Sequence, residues 1–302
     1  KGSVAFDVHK KKDVGSIFLI NEKLDNNTLE IFCPKRKDRK GNPYPMPDLP
    51  SHITFSKGYP PKTPQHEIAL HKFIDDYIDN DGKNYKSIMD MLERKNPDIK
   101  NLKEGSHLIN ETEDLNSQSI NLVKNLNNSY LTIQGPPGTG KTYTSANMII
   151  ELMREGKKVG VTSNSHEAIK TLLIEIEEQA VLQSFEFKGF RKAKKGDETE
   201  WKYIENSKNK PPEMSEYSLF AGTSWFFVNP KMNQTLDYLF IDEAGQVALG
   251  TTIANATSAK NLVLIGDQMQ LSQPIRAKHN GYARKSSLDF VLENYDTISP
   301  EK

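Results

Sequence analysis

Eight consecutive residues, Gly135-Pro-Pro-Gly-Thr-Gly-Lys-Thr142, have the types and spacing of a loop that grips phosphate. Small residues let successive backbone N–H groups close around a β-phosphate where a Cβ would intrude. Lys141 is placed to reach the β- and γ-phosphates of ATP, and the Thr142 hydroxyl to ligate Mg²⁺. The ATP-binding candidates are therefore Gly135, Pro136, Pro137, Gly138, Thr139, Gly140, Lys141 and Thr142, with Tyr143 in the turn that follows. A second element, Tyr238-Leu-Phe-Ile-Asp-Glu-Ala-Gly-Gln246, ends an apolar run in two carboxylates. Asp242 suits the Mg²⁺ shell, and Glu243 suits orientation and deprotonation of the attacking water. An Asp-Glu pair after a strand also suits a solvated turn or a helix start. The loop at 135–142 in the same chain favours the catalytic roles.

Such chemistry needs a strand before the loop and a helix after it, so that the positive end of the helix adds to anion binding. The pattern supplies both: Tyr130-Leu-Thr-Ile133 reads as a strand and Thr142 to Arg154 as a helix. Val159-Gly-Val161 follows as a strand and Glu167 to Ala180 as an amphipathic helix. Ser218 to Ala221, Tyr238 to Ile241 and Leu262 to Ile265 are further short apolar runs of the buried parallel kind. The alternation predicts an α/β fold, a parallel sheet with helices on both faces. From Lys188 to Pro212 the periodicity fails and charge dominates, which reads as an exposed insertion, bounded at about 185–216.

Upstream, Ser16 to Ile20 and Thr28 to Phe32 flank Asp25-Asn-Asn27 as a hairpin, and the proline-rich stretch from Asn42 to Pro64 reads as a boundary. Apolar spacing from His66 to Ile78, and more weakly from Tyr85 to Leu92, predicts packing helices. Lys+Arg and Asp+Glu are equal at 40 each, so overall charge favours no polyanionic partner. The one cysteine, Cys33, excludes an internal disulfide and a Cys-based zinc cluster. His66, His71 and His166 lack metal-ligand spacing. No apolar run reaches the roughly 18 residues of a membrane span, and the expectation is a soluble intracellular, cytoplasmic protein with no membrane partner.

These motifs resemble those of superfamily 1 helicases. The loop at 135–142, Asp242-Glu-Ala-Gly-Gln246 and Gly266-Asp-Gln-Met-Gln-Leu271 are similar to motifs I, II and III, in the 5′-to-3′ branch that includes nonsense-mediated-decay and Okazaki-fragment-processing helicases. Within that branch the chain looks most like prokaryotic helicases often fused to a RecB-like nuclease. Val161-Thr-Ser-Asn-Ser-His166 is similar to motif Ia, Phe220-Ala-Gly-Thr-Ser224 to the next strand-end motif, and Gly281 to Leu288 to the segment after motif III. Leu115-Asn-Ser-Gln118 is similar to the adenine-reading Q motif, one residue short, so that Ser119 falls at the aligned position while Gln118 is the motif's glutamine.

The resemblance implies a RecA-like P-loop NTPase domain at 111–302, a helical linker at 63–110 and a β-rich, barrel-like accessory domain at 1–62. It implies that Gln270 contacts the γ-phosphate, and that Gln246 links the nucleotide site to the nucleic-acid path. It also implies completion by a second RecA-like domain bearing an arginine finger, which these 302 residues do not include, so the fragment alone should turn ATP over poorly. A nuclease domain in the parent chain is a further expectation.

In a doubly wound motor, loops at strand carboxyl ends meet both the nucleotide and a strand crossing above it. Thr162, Ser163, Asn164 and Thr223 sit on such loops, and their short polar side chains suit sugar-phosphate contacts with single-stranded DNA or RNA. Ser165 suits a helix cap instead. Lys188, Arg191, Lys192, Lys194 and Lys195, interleaved with Phe185, Phe187 and Phe190, could hold phosphates and stack bases, or form a solvated insertion. Lys35 to Lys40 is similarly basic, while Arg276 and Arg284 read as surface or nucleic-acid-facing. Two rivals remain: an AAA+ ring remodeller, which shares this loop sequence, and a nucleic-acid-binding scaffold with ATP as its switch. The long separation of Lys141 from Asp242, and Gly266 to Leu271, argue against the first; intact Lys141, Asp242 and Glu243 argue against the second.

Overall fold

The computed structural model describes residues 63–103, 105–194, 196–197, 199–207, 214–267, 281–293 and 297–298 in full, and the backbone of residues 3–7, 12–13, 18–23, 28–32 and 53–57. The chain divides into two compact units, Lys1–Lys62 and Thr63–Lys302. In the first, strands β1 (Ser3–Asp7), β2 (Lys12–Asp13), β3 (Phe18–Lys23), β4 (Thr28–Phe32) and β5 (Ile53–Lys57) make two antiparallel sheets, ordered β2-β1-β5 and β3-β4. The second of these is the hairpin anticipated at 16–32, its register shifting between Leu19 and Asn21. Cys33, Lys35 to Lys40 and the proline-rich stretch up to residue 62, apart from the β5 backbone, lie outside the described residues.

The second unit opens with α1 (Pro64–Asn80), α2 (Lys86–Leu92) and α3 (Leu115–Lys124). It continues through β6 (Tyr130–Gln134), α4 (Lys141–Arg154), β7 (Val159–Thr162), α5 (His166–Leu182), β8 (Gly189–Lys192), β9 (Ile204–Ser207) and β10 (Leu219–Ala221). Then come α6 (Ser224–Phe227), β11 (Leu236–Ile241), α7 (Leu249–Ala256), β12 (Ala259–Gly266) and α8 (Ser287–Leu292). Seven strands form one parallel sheet in the order β6-β12-β11-β7-β10-β8-β9. Alternate residues of each strand feed opposite layers. Leu131, Val161, Phe240 and Val263 pack with α3, α4 and α5, while Tyr130, Leu239, Leu264 and Phe220 pack with α1, α2, α7 and α8. The result is a RecA-like three-layer α/β arrangement, which buries both faces of the sheet and explains the unbroken apolar runs.

Polar anchors set strand heights. The Tyr238 hydroxyl donates to Val123 O at 2.9 Å and Tyr130 to Lys95 O at 2.8 Å. Ser129 Oγ donates to Asp90 Oδ2 at 2.7 Å, and that carboxylate also takes Lys86 Nζ at 2.6 Å.

The stretch from Lys188 to Pro212 differs from its expectation. It contributes β8 and β9, which extend the sheet instead of leaving it. Phe190 is buried in one layer, and Phe185 and Phe187 pack against the other, their rings stacked at 6.2 Å. Phe190 is thereby committed to the core, while Phe185 and Phe187 are half-buried. Lys188 pairs with Glu216 at 2.8 Å, and Lys195 and residues 208–213 lie outside the described residues. Four-residue strands are too short for periodicity to rise above the flanking lysines.

Gly160, mid-strand in β7, marks a tight contact: a Cβ there would lie 2.7 Å from Leu236 Cδ1, 2.8 Å from Phe227 and 2.9 Å from Leu239. Gly160→Ala is expected to destabilise the second unit by about 1–3 kcal/mol through overpacking, read as a lower urea midpoint at unchanged slope.

Candidate nucleotide site

Strands β6, β12, β11 and β7 are neighbours and parallel, so their carboxyl ends and following turns share one edge of the sheet. The loop at 135–140 leaves β6 and runs directly into α4. Its entrance is tied to β12, with Gly135 N–H donating to Gly266 O at 3.2 Å. Gly138 and Gly140 hold φ at 81° and 85°, the left-handed region that glycine enters freely. Lys141 Nζ curls back over the loop and donates to Gly135 O at 2.6 Å and Pro136 O at 2.9 Å. Thr139 Oγ1 donates to Pro136 O at 2.8 Å. Thr142 is half-buried in the first turn of α4, and Tyr143 beside it is exposed.

Asp242 follows β11, and its N–H donates to Thr162 O at 2.9 Å, which locks it to the end of β7. Its Oδ1 accepts from Glu243 N–H at 2.9 Å. Burial pushes the Asp242 carboxyl up to about 6; the Glu243 charge adds to the rise, while the Glu243 N–H bond and the Lys141 charge oppose it. Glu243 holds φ at 56°, a left-handed conformation that costs a residue with a Cβ about 1–2 kcal/mol. Its Oε2 accepts from Gln246 Nε2 at 3.3 Å, and its carbonyl accepts from Gln246 N–H at 2.7 Å. Ser287 Oγ in α8 donates to Ala244 O at 3.0 Å, which fastens the turn from behind.

The turns after β11 and β12 meet backbone to backbone. A Cβ on Gly245 would stand 2.7 Å from Asp267 O, and one on Gly266 would stand 3.0 Å from Gly245 N. This close approach is a feature that a motif-by-motif reading misses, although both glycines are visible next to the acidic turns at 242–243 and 267.

Beside the loop opens a cleft of about 1320 Å³, walled by residues 107–112, Gln118, the loop itself and Asp267. Gln118, in α3, accepts from Asn110 N–H at 2.7 Å and donates to Asn110 O at 2.9 Å. Its amide thus faces a backbone group with paired donor and acceptor. Ser119, at the aligned position, is buried and donates to Leu115 O within its own helix at 2.8 Å. Asn110 is a cleft residue that no motif or spacing marks.

The polar residues expected at strand ends gather on the same edge but divide in character. Thr162 and Ser163 are buried, 1% and 4% exposed, so neither hydroxyl reaches the surface; Asn164 and Thr223 are half-buried. Ser165 caps α5, its Oγ accepting from Ala168 N–H at 3.1 Å. Arg284 is exposed, whereas Gln270 and Arg276 lie outside the described residues. Among the described residues no group of His, Cys, Asp and Glu could by itself hold a metal ion, and no helix is long and apolar enough to cross a membrane.

A family model described as an AAA domain matches residues 114–280, more than half of the chain, and spans the loop at 135–142 and the turn at 242–246. The DNA replication ATP-dependent helicase/nuclease JHS1 of Arabidopsis thaliana is 30% identical over 188 residues, 58% of this chain and 14% of that protein. The DNA replication ATP-dependent helicase/nuclease dna2 of Schizosaccharomyces pombe is 26% identical over 202 residues, 59% of this chain and 13% of that protein. The chain thus spans about one-seventh of these relatives. Among solved structures, an arterivirus nonstructural protein 10 (helicase) with DNA aligns over 57% of this chain and 35% of its own at 12% identity, with a TM-score of 0.36. The chain belongs to the AAA domain family.

Proposed function

We propose that this chain supplies the first half of an ATP-driven motor on single-stranded nucleic acid, DNA in preference to RNA because its relatives are named for DNA replication. The observation that carries this is the convergence of the Gly135–Gly140 loop and the Asp242–Glu243 turn at one sheet edge, with Asp242 hydrogen-bonded to the end of β7. Lys141, freed from Gly135 O and Pro136 O, moves its charge onto the β- and γ-phosphates. The adenine enters the cleft beside Gln118, whose amide exchanges the Asn110 backbone for the base edge. Glu243 orients and deprotonates the water, held through Oε2 by Gln246. Gln270 takes the γ-phosphate contact.

The hydroxyl of Thr142 and the carboxylate of Asp242 are the hard oxygen donors that Mg²⁺ accepts, so the residues fit the ion. When bound, Mg²⁺ neutralises charge on the phosphates. Asn164 and Thr223 are the strand-edge contacts to the nucleic-acid backbone, and Thr162 and Ser163 support them from beneath. A second RecA-like domain of the parent chain supplies the arginines, and the parent carries a nuclease domain, as in the prokaryotic helicases fused to RecB-like nucleases. Residues 1–62 form its accessory unit and 63–302 the motor, working inside the cell; the helices expected to be a linker at 63–110 instead pack on the sheet.

In the complete protein Glu243→Gln should retain ATP binding and lose about 10²-fold or more in turnover, as a displaced general base does; unchanged steady-state ATPase would remove Glu243 from the mechanism. Gly245→Ala should lower the same rate about tenfold by pushing the Asp242 turn off Asp267, with a small change in melting temperature; an unaltered rate would show that the backbone contact is dispensable.

The fold favours protonated Asp242, so without metal this group contributes stability that is full below 3.8 and lost as the pH rises through about 6. Mg²⁺ requires the carboxylate, so Mg²⁺-dependent nucleotide affinity should fall as the pH drops below about 6, with proton release seen by calorimetry in two buffers. Asp242→Asn should remove the proton release.

A further inference from the structure

Arg191 is the largest fully buried side chain of the second unit and the least satisfied. It lies one residue before the end of β8, in register with Ala221, and therefore points into the layer of α5. Its Nη2 lies 2.8 Å from Asp197 Oδ2, an ion pair off the line of a hydrogen bond, and Nε, Nη1 and Nη2 are buried without a hydrogen-bond acceptor. The guanidinium also lies 5.4 Å from the Trp201 ring, whose Nε1 is likewise buried and unpartnered.

The surroundings are built for an anion. The 17-residue helix α5 begins at His166, and its positive end is poorly matched to a nearby cation. Burial holds the His166 imidazole below its ordinary range, and the Arg191 and Lys194 charges lower it further, which places all three groups in one field. His166 Nδ1 and Ser163 Oγ are buried without partners. Five guanidinium N–H groups in a fixed fork match the oxygens of a phosphate better than the single carboxylate oxygen present.

That carboxylate is held mainly from its own turn. Asp197 Oδ1 accepts from Thr199 Oγ1 at 2.6 Å and from Thr199 N–H at 3.1 Å, and these bonds together with Arg191 bring the acid down to about 2. Asp197 is an anion at neutral pH, tethered by four intervening residues of chain to the strand that carries its cation.

We propose that Arg191 and the first turn of α5 form a receptor for one backbone phosphate of a single strand, and that Asp197 is an internal stand-in which the phosphate displaces. The gate rests on the motor function proposed above, because it lies on the strand-end edge assigned to nucleic acid. It makes nucleic-acid engagement depend on moving the Asp197 carboxylate off Arg191, and it deepens the path beyond Asn164 and Thr223.

The test is fluorescence anisotropy of labelled dT15 with the full 302-residue chain, over a salt series. Asp197→Asn should tighten binding at least about threefold and steepen the log K against log salt slope by about 0.7, one further phosphate neutralised. Thr199→Val, which loosens Asp197 while leaving its charge, should shift affinity the same way by less. Arg191→Lys keeps the charge and removes the fork, and should cancel the gain when combined with Asp197→Asn. Binding by the parent chain with neither Asp197→Asn nor Thr199→Val tightening it, whatever happens to the melting temperature, would make the pair purely structural and overturn the gate. Failure of every variant and the parent to bind dT15 would instead overturn the nucleic-acid function beneath it.

Discussion

The nucleotide edge depends on one constraint: the ends of β6, β11 and β12 approach until their turns touch through backbone atoms alone. Gly135 N–H donates to Gly266 O, and Gly245 leaves no room for a Cβ against Asp267 O. Contacts of this kind cannot relax by rotating a side chain, so the loop that cradles phosphate and the turn that carries the carboxylates behave as one piece. The packed layers on both faces keep the strands at that spacing, with Tyr238 and Tyr130 fixing their height against the helices.

The same packing sets the electrostatics. A parallel sheet covered on both sides has only its strand ends in reach of water, and Asp242 sits where the dry interior gives way to the cleft. Its raised pKa reflects that position, with Glu243 adjacent in a backbone conformation few residues accept. Asp242 is held by the neighbouring strand β7, which ties its carboxylate to the polar loop after β7. The two turns proposed for nucleotide and for nucleic acid are thereby adjacent in the backbone.

Much of this edge was legible in the residues. The loop at 135–142, the strand–helix context around it and the acidic turn at 242–243 were recoverable because glycine spacing and apolar runs report local backbone demands directly. The helix cap at Ser165 was readable for the same reason. What escaped is non-local. The β8 and β9 strands look like a charged insertion because Arg191 is a core residue whose partner, Asp197, comes from a later turn. Burial of Thr162 and Ser163 depends on helix α5 and on neighbouring strands, which no window of sequence contains. The close pairing of Gly245 with Asp267 requires knowing that β11 and β12 are neighbours.

The left-handed backbone at Glu243 carries a consequence for how variants of this protein are selected. Glycine would sit in that conformation without a steric penalty, so replacing Glu243, the proposed general base, would leave the chain as well folded as before, or better. A library sorted by expression level or protease resistance would therefore retain inactive molecules at the position where chemistry is most exacting. Foldedness and fitness separate at this residue, and abundance alone is a misleading proxy for a working motor.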